Sequence, residues 1–165
     1  MREWLEAIGA WTQSWLSADA GLLGLFASAF FSSTFLPGSS EVVLVALLTA
    51  YPQLAWPAFG VATFGNVLGG LVSFGMGVAA RRGVERFQHG GPRWQISDTA
   101  TARLHRYGPP VLFFSFVPFI GDAMLIAAGW VRLPFAASFV WMAAGKAARY
   151  AVLVASMAGL MAWAV

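Results

Sequence analysis

The sequence has no cysteine and few ionisable side chains. Among its 165 residues only 10% are charged and only two are histidine. Without cysteine the chain has no disulfide, no thiol nucleophile and no cysteine-based zinc site. The two histidines, His89 and His105, have no acidic ligands nearby, so we expect no metal site. Nothing in the composition indicates a cofactor.

Hydrophobic side chains dominate the chain. They make up 59% of the residues, and the mean hydropathy is +0.69. A soluble domain of this length could not bury so much apolar surface, so the composition predicts an integral membrane protein. The length fits a single membrane domain that covers residues 1–165.

Most of the basic charge lies in one polar stretch, 81–106. A basic stretch can bind nucleic acid, but between two apolar blocks it is typical of a cytoplasmic loop that follows the positive-inside rule and touches anionic lipid head groups. We therefore expect no nucleic-acid partner. The charged residues of this stretch are Arg81, Arg82, Arg86, Arg93, Arg103 and Arg106, against Glu85 and Asp98.

Residues 1–19 carry large apolar side chains at helical spacing. Trp4, Ile8, Trp11 and Trp15 are separated by four, three and four positions, which places them on one face of a helix. A tryptophan-rich amphipathic helix is typical of the membrane interface. Acidic residues near its start argue against a signal peptide.

The first apolar block, 21–50, contains a helix break followed by an acid. Pro37 and Gly38 interrupt the block, and Glu41 is its only charged residue. Neither part is long enough to cross a hydrocarbon core of about 30 Å. The block is therefore either one kinked helix or a re-entrant hairpin, whose broken backbone must be covered by protein or water.

A long apolar segment follows each of two such blocks. The sequence predicts a spanning helix over Ala58–Ala80 and a second over Phe135–Val165. Both carry ridges of small residues, which let another helix approach closely, so the long helices are expected to pack on each other or on another subunit, as in a homo-oligomer. The ridges are Gly65, Gly69, Ser73 and Gly77 on the first helix and Ala143, Ala147, Ala151, Ala155 and Gly159 on the second.

The two blocks repeat one pattern. A single shift brings Pro37 onto Pro118 and Glu41 onto Asp122. If each copy is a hairpin plus one spanning helix, the second copy starts from the opposite side of the membrane, as in transporters with inverted repeats. We predict an all-α polytopic membrane protein with two inverted repeats, each a re-entrant helical hairpin plus a transmembrane helix. Its parts are an N-terminal interfacial helix (1–19), repeat 1 (20–80), the basic loop (81–106) and repeat 2 (107–165).

Six short strings lie between residues 20 and 155: "LPGSSEVVLVALL", "GNVLGG", "RYG", "VPFIGD", "AGW" and "GKAARY". As a set they resemble the DedA family, also called VTT or SNARE-associated, and most of all its short YqaA-like branch. The resemblance implies a bacterial inner-membrane protein with two re-entrant hairpins. It also implies a link to translocation or scrambling of lipids, polyprenyl phosphates included, that depends on the proton-motive force.

The chain departs from this family at one place. Many members carry arginines three residues before and three after the proline of the second hairpin, and those positions here are Ser115 and Gly121. The arginine-dependent part of the family mechanism is therefore either absent here or carried out by other basic residues. Lys146 and Arg149 are candidate replacements, because they lie on the following long helix.

Four charged residues are expected at membrane depth: Glu41, Asp122, Lys146 and Arg149. An ionisable residue there is costly to bury and points to function by default. In one interpretation the bases receive a lipid phosphate while the acids titrate. In the other, all four form structural pairs, and either way each acid is expected to pair with a base. The helix breaks and hairpins are assigned to Pro37, Gly38, Pro118 and Gly121, with Ser39, Ser40, Asn66, Ser115 and Tyr150 as secondary candidates.

Two enzyme classes are disfavoured, so we expect no catalytic residues. An intramembrane aspartyl protease uses two aspartates that share a proton, whereas one acid here is a glutamate and the string "PFIGD" lacks the expected glycine. Ser39, Ser40 and Ser115 have no histidine at matching depth for serine hydrolysis. Ser39 and Ser40 are instead expected to cap a helix or to bind a head group at its N-terminus.

The sequence therefore predicts a multi-pass inner-membrane protein that translocates or scrambles a phosphate-bearing lipid, with membrane lipids as partners and protons as the coupling ion. The alternative is a non-transporting membrane factor that supports envelope assembly. The excess of arginine over 81–106 predicts that this loop is cytoplasmic and that both termini lie outside.

Overall fold

The computed structural model describes residues 18–33, 39–87, 106–117 and 120–163. Several predicted features fall outside these ranges. They are most of the interfacial helix, the central part of the basic loop, and the helix-break residues Pro37, Gly38 and Pro118.

All regular structure in the described ranges is helical. The α-helices are α1 (Ala18–Ser32), α2 (Ser39–Ala50), α3 (Ala55–Phe87), α4 (Ile120–Trp130) and α5 (Phe135–Trp163). Two 3-10 helices, Pro52–Leu54 and Pro109–Phe116, precede α3 and α4. Both predicted long segments are helices, whereas the two predicted breaks lie in stretches outside the described residues.

Helix α3 is longer than the sequence predicted. We expected it to end at Ala80, but it continues for two further turns to Phe87. Arginine and glutamate are good helix formers, and the Arg81 side chain donates a 2.8 Å hydrogen bond to Glu85 one turn ahead. The segment Pro52–Arg86 is the one helix among the described residues that is both long enough and apolar enough to cross a membrane.

The first arm of the second block is a 3-10 helix rather than an α-helix. It starts at Pro109 after Gly108, whose φ of 64° lies in the left-handed region that favours glycine. Pro109 and Pro110 have no backbone N–H to donate. The 3-10 helix ends at Phe116, shortly before α4 begins at Ile120.

Helices α1 and α2 form an antiparallel pair beside the first half of α3. The Ser40 hydroxyl donates to Ser32 Oγ over 3.4 Å where α1 ends and α2 begins. At the other end of the pair, a Cβ on Gly21 would meet Leu47 at 2.5 Å. The pair shares a hydrophobic core with Ala58 and Ala62 of α3.

The 3-10 helix packs on the first half of α5, where Phe113 contacts Trp141, and α4 lies beside the second half of α3. A side chain at Gly77 would collide with the Ile126 carbonyl oxygen, and one at Gly129 with the Phe74 carbonyl oxygen. The two helices therefore approach backbone to backbone, as small residues permit in membrane proteins. Leu112 of the 3-10 helix and Leu125 of α4 are buried in the same core.

The long helices α3 and α5 run in opposite directions. Phe74 in the second half of α3 meets Phe135 at the start of α5, with ring centroids 5.9 Å apart. Leu54, just before α3, shares a core with Met157 near the end of α5. The two short helical pairs therefore lie at opposite ends of the long helices and meet near their middle.

The predicted ridges of small residues do not pack the long helices on each other. The ridge of α3 packs on short helices instead, with Gly65 and Gly69 against the carbonyl oxygens of Phe26 and Phe30 in α1. On α5 the close contact is made by Gly145, against the Phe113 carbonyl oxygen, and not by the predicted row. Three members of that row, Ala151, Ala155 and Gly159, are exposed.

Candidate functional site

A buried lysine lies where the two short helical pairs meet. Lys146, near the middle of α5, is only 2% exposed. Its Nζ donates a 2.8 Å hydrogen bond to Ser33 Oγ at the end of α1 and a second bond to Asn66 Oδ1 of α3. Gly70 makes room for the lysine stem, because a Cβ there would lie 2.9 Å from Lys146 Cε.

Asp122 reaches this lysine through a hydroxyl group. Ser33 Oγ accepts the hydrogen bond from Lys146 and donates its own proton to Asp122 Oδ1 over 3.1 Å. Among the described residues no carboxylate forms an ion pair with Lys146. The expectation that Asp122 would pair directly with a base is therefore not met, because Ser33 lies between the two charges.

Glu41 has the direct partner that Asp122 lacks. The Arg149 guanidinium donates to Glu41 Oε1 through Nε over 3.0 Å and also through Nη2. Its Nη1 donates a 3.0 Å hydrogen bond to the Phe116 carbonyl oxygen at the end of the 3-10 helix. Arg149 therefore joins the first turn of α2 to the end of the 3-10 helix, which belongs to the other short pair.

A row of neutral polar groups continues from the lysine toward α2. The Asn66 amide donates to the Ala29 carbonyl oxygen over 3.1 Å and to the Tyr150 hydroxyl over 3.3 Å. Tyr150 donates in turn to Ser40 Oγ over 3.0 Å. The Ser40 hydroxyl, which the sequence assigned to helix capping or a head group, thus joins Tyr150 to Ser32. Ser39 accepts a 3.3 Å hydrogen bond from Ser28.

Three of the four charged groups, Asp122, Lys146 and Arg149, line a very small polar cavity. Its volume is about 10 Å³, which corresponds to about one water molecule. The Ser115 hydroxyl is buried on its wall and has no hydrogen-bond partner among the described residues. The lining is polar except for Val117 and comprises Ser32, Ser33, Asn66, Ser115, Val117, Asp122, Lys146 and Arg149. In this form the cavity is too small for a phosphate group with its four oxygens.

Gly121 explains one departure from the DedA pattern. A side chain at this position would collide with the Ser115 carbonyl oxygen, because α4 begins directly against the end of the 3-10 helix. The Gly121 amide also donates a 2.8 Å hydrogen bond to the Val117 carbonyl oxygen. An arginine would not fit here in this form, and the nearby cations come from α5.

The structure brings most of the sequence-predicted residues together. Hydrogen bonds join Lys146, Asp122, Asn66, Tyr150 and Ser40 through Ser33. Arg149, which holds Glu41, and Ser115 line the same cavity as Lys146. Pro37, Gly38 and Pro118 lie outside the described residues. The sequence interpretation missed Ser32 and Ser33. The signal available was a pair of hydroxyl side chains at the end of an apolar run just before a predicted break. The described part of the chain has no group of three His, Cys, Asp or Glu side chains placed to hold a metal ion.

The chain is similar over most of its length to named inner membrane proteins. "Inner membrane protein YqaA" of Escherichia coli (strain K12) is 40% identical over 151 residues, which cover 90% of this chain and 99% of the relative. The protein of the same name from Shigella flexneri matches equally. An "Uncharacterized protein" of Haemophilus influenzae is 37% identical over 154 residues, covering 86% of this chain and 92% of the relative. No protein-family profile and no solved structure matches.

Proposed function

Because the chain belongs to the YqaA branch of the DedA family of inner membrane proteins, we propose that it translocates a phosphate-bearing lipid between leaflets. The lipid is a phospholipid or a polyprenyl phosphate. The polar cluster consists of Glu41, Asp122, Lys146 and Arg149 with the polar side chains around them. The proposal assigns no chemical transformation to this cluster and needs no cofactor. Its residues bind, neutralise and release a head group.

One observation carries the proposal, namely a buried ammonium group that has no direct anionic partner in the described structure. Lys146 is 2% exposed and is held by two neutral oxygens. Burying a charge without a counter-charge is expensive. An incoming phosphate would supply the missing anion, and Arg149 beside it adds a planar donor suited to phosphate oxygens.

Proton coupling is the second part of the proposal. With all four groups ionised, the two acids and two bases have no net charge. If Asp122 takes up a proton, the cluster gains one positive charge, which balances the single negative charge of a phosphodiester head group and about half of the charge of a phosphate monoester. Ser33 connects Asp122 with Lys146 through two hydrogen bonds, so protonation at the acid alters the surroundings of the lysine.

The proposed cycle requires the cluster to open. Its cavity has room for about one water molecule, so a head group enters only when the short helical pairs separate. The bonds that would break are those between elements, from Arg149 to the Phe116 carbonyl oxygen and from Ser33 to Asp122.

We infer that the two short pairs are re-entrant hairpins within inverted repeats. Helix α1 has 15 residues and α2 has 12, which correspond to about 22 Å and 18 Å and fall short of a core of about 30 Å. Contacts at one end of the molecule support this arrangement, because Arg132, just before α5, donates a 2.6 Å bond to Glu85 at the end of α3. These two sites then lie on the same membrane side.

Topology gives a first prediction. Single cysteines placed at Gly90 and near Val165 should react with a membrane-impermeant thiol reagent from opposite sides, the first from the cytoplasm. The chain has no native cysteine, so each label reports one position. Labelling of both from the same side would show that one repeat contains a kinked span instead of a hairpin.

Leaflet exchange in proteoliposomes tests the function directly. Purified protein is reconstituted with a fluorescent phospholipid or a fluorescent polyprenyl phosphate, and the label in the outer leaflet is bleached with an impermeant reductant. The expected result is exchange well above that of empty vesicles for at least one lipid. A pH gradient across the membrane should change its rate.

Two variants make the test specific. Lys146→Met removes the ammonium but keeps a long side chain, and exchange should fall to background. Arg106→Met removes an exposed charge outside the cluster and should leave exchange unchanged. Background exchange by the wild-type protein for both lipids would exclude the proposal and favour the non-transporting envelope factor.

A further inference from the structure

A long groove runs along one face of α3, on the surface and outside the polar cluster. It extends from Leu71 to Arg86, a rise of about 22 Å, and encloses about 640 Å³. Phe135 at the start of α5 forms part of its wall and contacts Phe74 edge to face. None of the cluster's charged residues lines it.

The chemistry of the groove changes along its length. Leu71, Phe74 and Val78 line the part nearer the middle of α3, and Arg82 and Arg86 line the part near its end. The apolar part, from Leu71 to Ala79, rises about 12 Å. That distance is close to the hydrocarbon depth of one leaflet, roughly 15 Å or half of a typical core.

Glycines keep the groove open although packing does not require them. A Cβ added at Gly75 or at Gly83 would meet no atom within 4 Å. Elsewhere on α3, in contrast, Gly69 and Gly77 touch neighbouring backbone. Gly75 and Gly83 therefore border empty space on the groove face and not a helix contact.

Two arginines at the basic end are available to a ligand. Arg81 and Arg132 both bind Glu85. In the part of the chain that the structure describes, Arg82 and Arg86 form no ion pair. They are one turn apart, so they share a helix face, and both are exposed. An apolar channel of leaflet depth ends here at two cations that have no ion-pair partner among the described residues. Such a channel is complementary to an acyl chain with an anionic head group.

We propose that this groove binds one anionic phospholipid of the surrounding membrane, with an acyl chain along Leu71, Phe74 and Val78 and the head-group phosphate at Arg82 and Arg86. This lipid is resident and distinct from the lipid that the central cluster handles. The proposal therefore does not depend on the transport function. Its chemistry is that of phosphatidylglycerol rather than of a zwitterionic lipid.

Native mass spectrometry of the purified protein, titrated with phosphatidylglycerol or phosphatidylcholine, tests the site. The wild-type protein should bind the anionic lipid more tightly. Arg82→Gln with Arg86→Gln should reduce that affinity on the order of tenfold, since each basic residue near the head groups contributes to attraction. The matched control, Arg106→Gln with Arg132→Gln, removes the same charge outside the groove and should have little effect.

A second pair of variants tests the apolar part. A Cβ at Gly75 or at Gly60 meets no atom within 4 Å, so Gly75→Leu extends a side chain into the groove, and Gly60→Leu adds the same side chain at another open position of α3. Both should fold, as judged by circular dichroism and gel filtration, but only Gly75→Leu should lose the tightly bound lipid. Equal binding by these two variants, or equal wild-type affinity for both lipids, would overturn the proposal. Unchanged lipid binding with lowered stability in Gly75→Leu would also overturn it, and would indicate that residues 88–105 of the chain itself fill the groove.

Discussion

Glu41 and Asp122 occupy equivalent places in the two apolar blocks, yet their surroundings differ. Glu41 is bonded directly to Arg149, and its side chain is 39% exposed. Asp122 is bonded to a serine, which in turn holds the buried Lys146. The comparison shows that Glu41 and Arg149 neutralise each other in a direct ion pair. Asp122 and Lys146, in contrast, are separated by the Ser33 hydroxyl.

The largest effect is expected from removing the buried lysine. Lys146→Ala should lower the free energy of unfolding by about 2–5 kcal/mol, because it leaves a cavity in the packed interior and removes the donor that Ser33 and Asn66 accept from. Unfolding in mixed detergent micelles, followed by circular dichroism, measures the change. Arg132→Ala, at an exposed ion pair, should lower it by less than about 1 kcal/mol. Equal losses in the two variants would show that Lys146 is not a buried member of a coupled network.

Double-mutant cycles compare the two acids directly. Glu41→Gln should restore part of the stability lost in Arg149→Ala, with a coupling energy of about 1–3 kcal/mol, because the two side chains touch. Asp122→Asn should restore less of the loss in Lys146→Ala, since Ser33 separates them.

The same double variants test the role of the cluster. If the charges only hold the fold together, a rescued double variant also regains lipid exchange. If the acids titrate and the bases bind phosphate, folding returns while exchange stays lost. Strict additivity of the stability changes in both cycles would mean that the charges do not interact.

The next largest loss of stability is expected from replacing Ser33, which lies between Lys146 and Asp122. Ser33→Ala removes one acceptor from a charged lysine and one donor to a carboxylate, and should cost about 1.5–3 kcal/mol. Ser40→Ala removes only bonds between neutral groups and should cost about 0.5–1.5 kcal/mol. Thermal unfolding of the two variants side by side measures the difference. A Ser40→Ala variant as unstable as Ser33→Ala would argue against the Lys146–Ser33–Asp122 relay.

The smallest effect is expected at the exposed end of α3. Glu85→Gln breaks its pairs with Arg81 and Arg132, but pairs this exposed to solvent contribute little to stability. The effect should vanish in high salt, which screens exposed charges. The loss in Glu41→Gln should persist there. A salt-independent effect at Glu85 would show that this end of the molecule is more buried than the structure indicates.

Much of the fold could be predicted because membrane helices obey simple length and polarity rules. The start of α5 at Phe135 was predicted from its apolar run after a turn. The end of α3 was placed too early, because arginines after Ala80 were interpreted as loop residues although they are good helix formers. The 3-10 form of Pro109–Phe116 could not be predicted from hydropathy, because apolar content does not distinguish i→i+3 from i→i+4 hydrogen bonding.

The sequence predicted which charged residues form the site, but not which of them are bonded to each other. Lys146, Arg149 and Asn66 were identified because polar side chains are rare in apolar runs and costly to bury. Which acid faces which base could not be predicted, because it depends on how the short helices are stacked. Ser33 was missed for a related reason: a serine is cheap to place on a helix, and its importance arises only from the two charges on either side of it.

Arg149 resists separation of the two short helical pairs, because it is bonded to both. One guanidinium holds the Glu41 carboxylate of the first pair and the Phe116 carbonyl oxygen of the second. Pulling the pairs apart therefore breaks at least one of these bonds, and the carboxylate, being charged, is the stronger holder. Arg149 therefore stays bonded to Glu41 when the pairs separate, and its hydrogen bond to the Phe116 carbonyl oxygen is the one that breaks first.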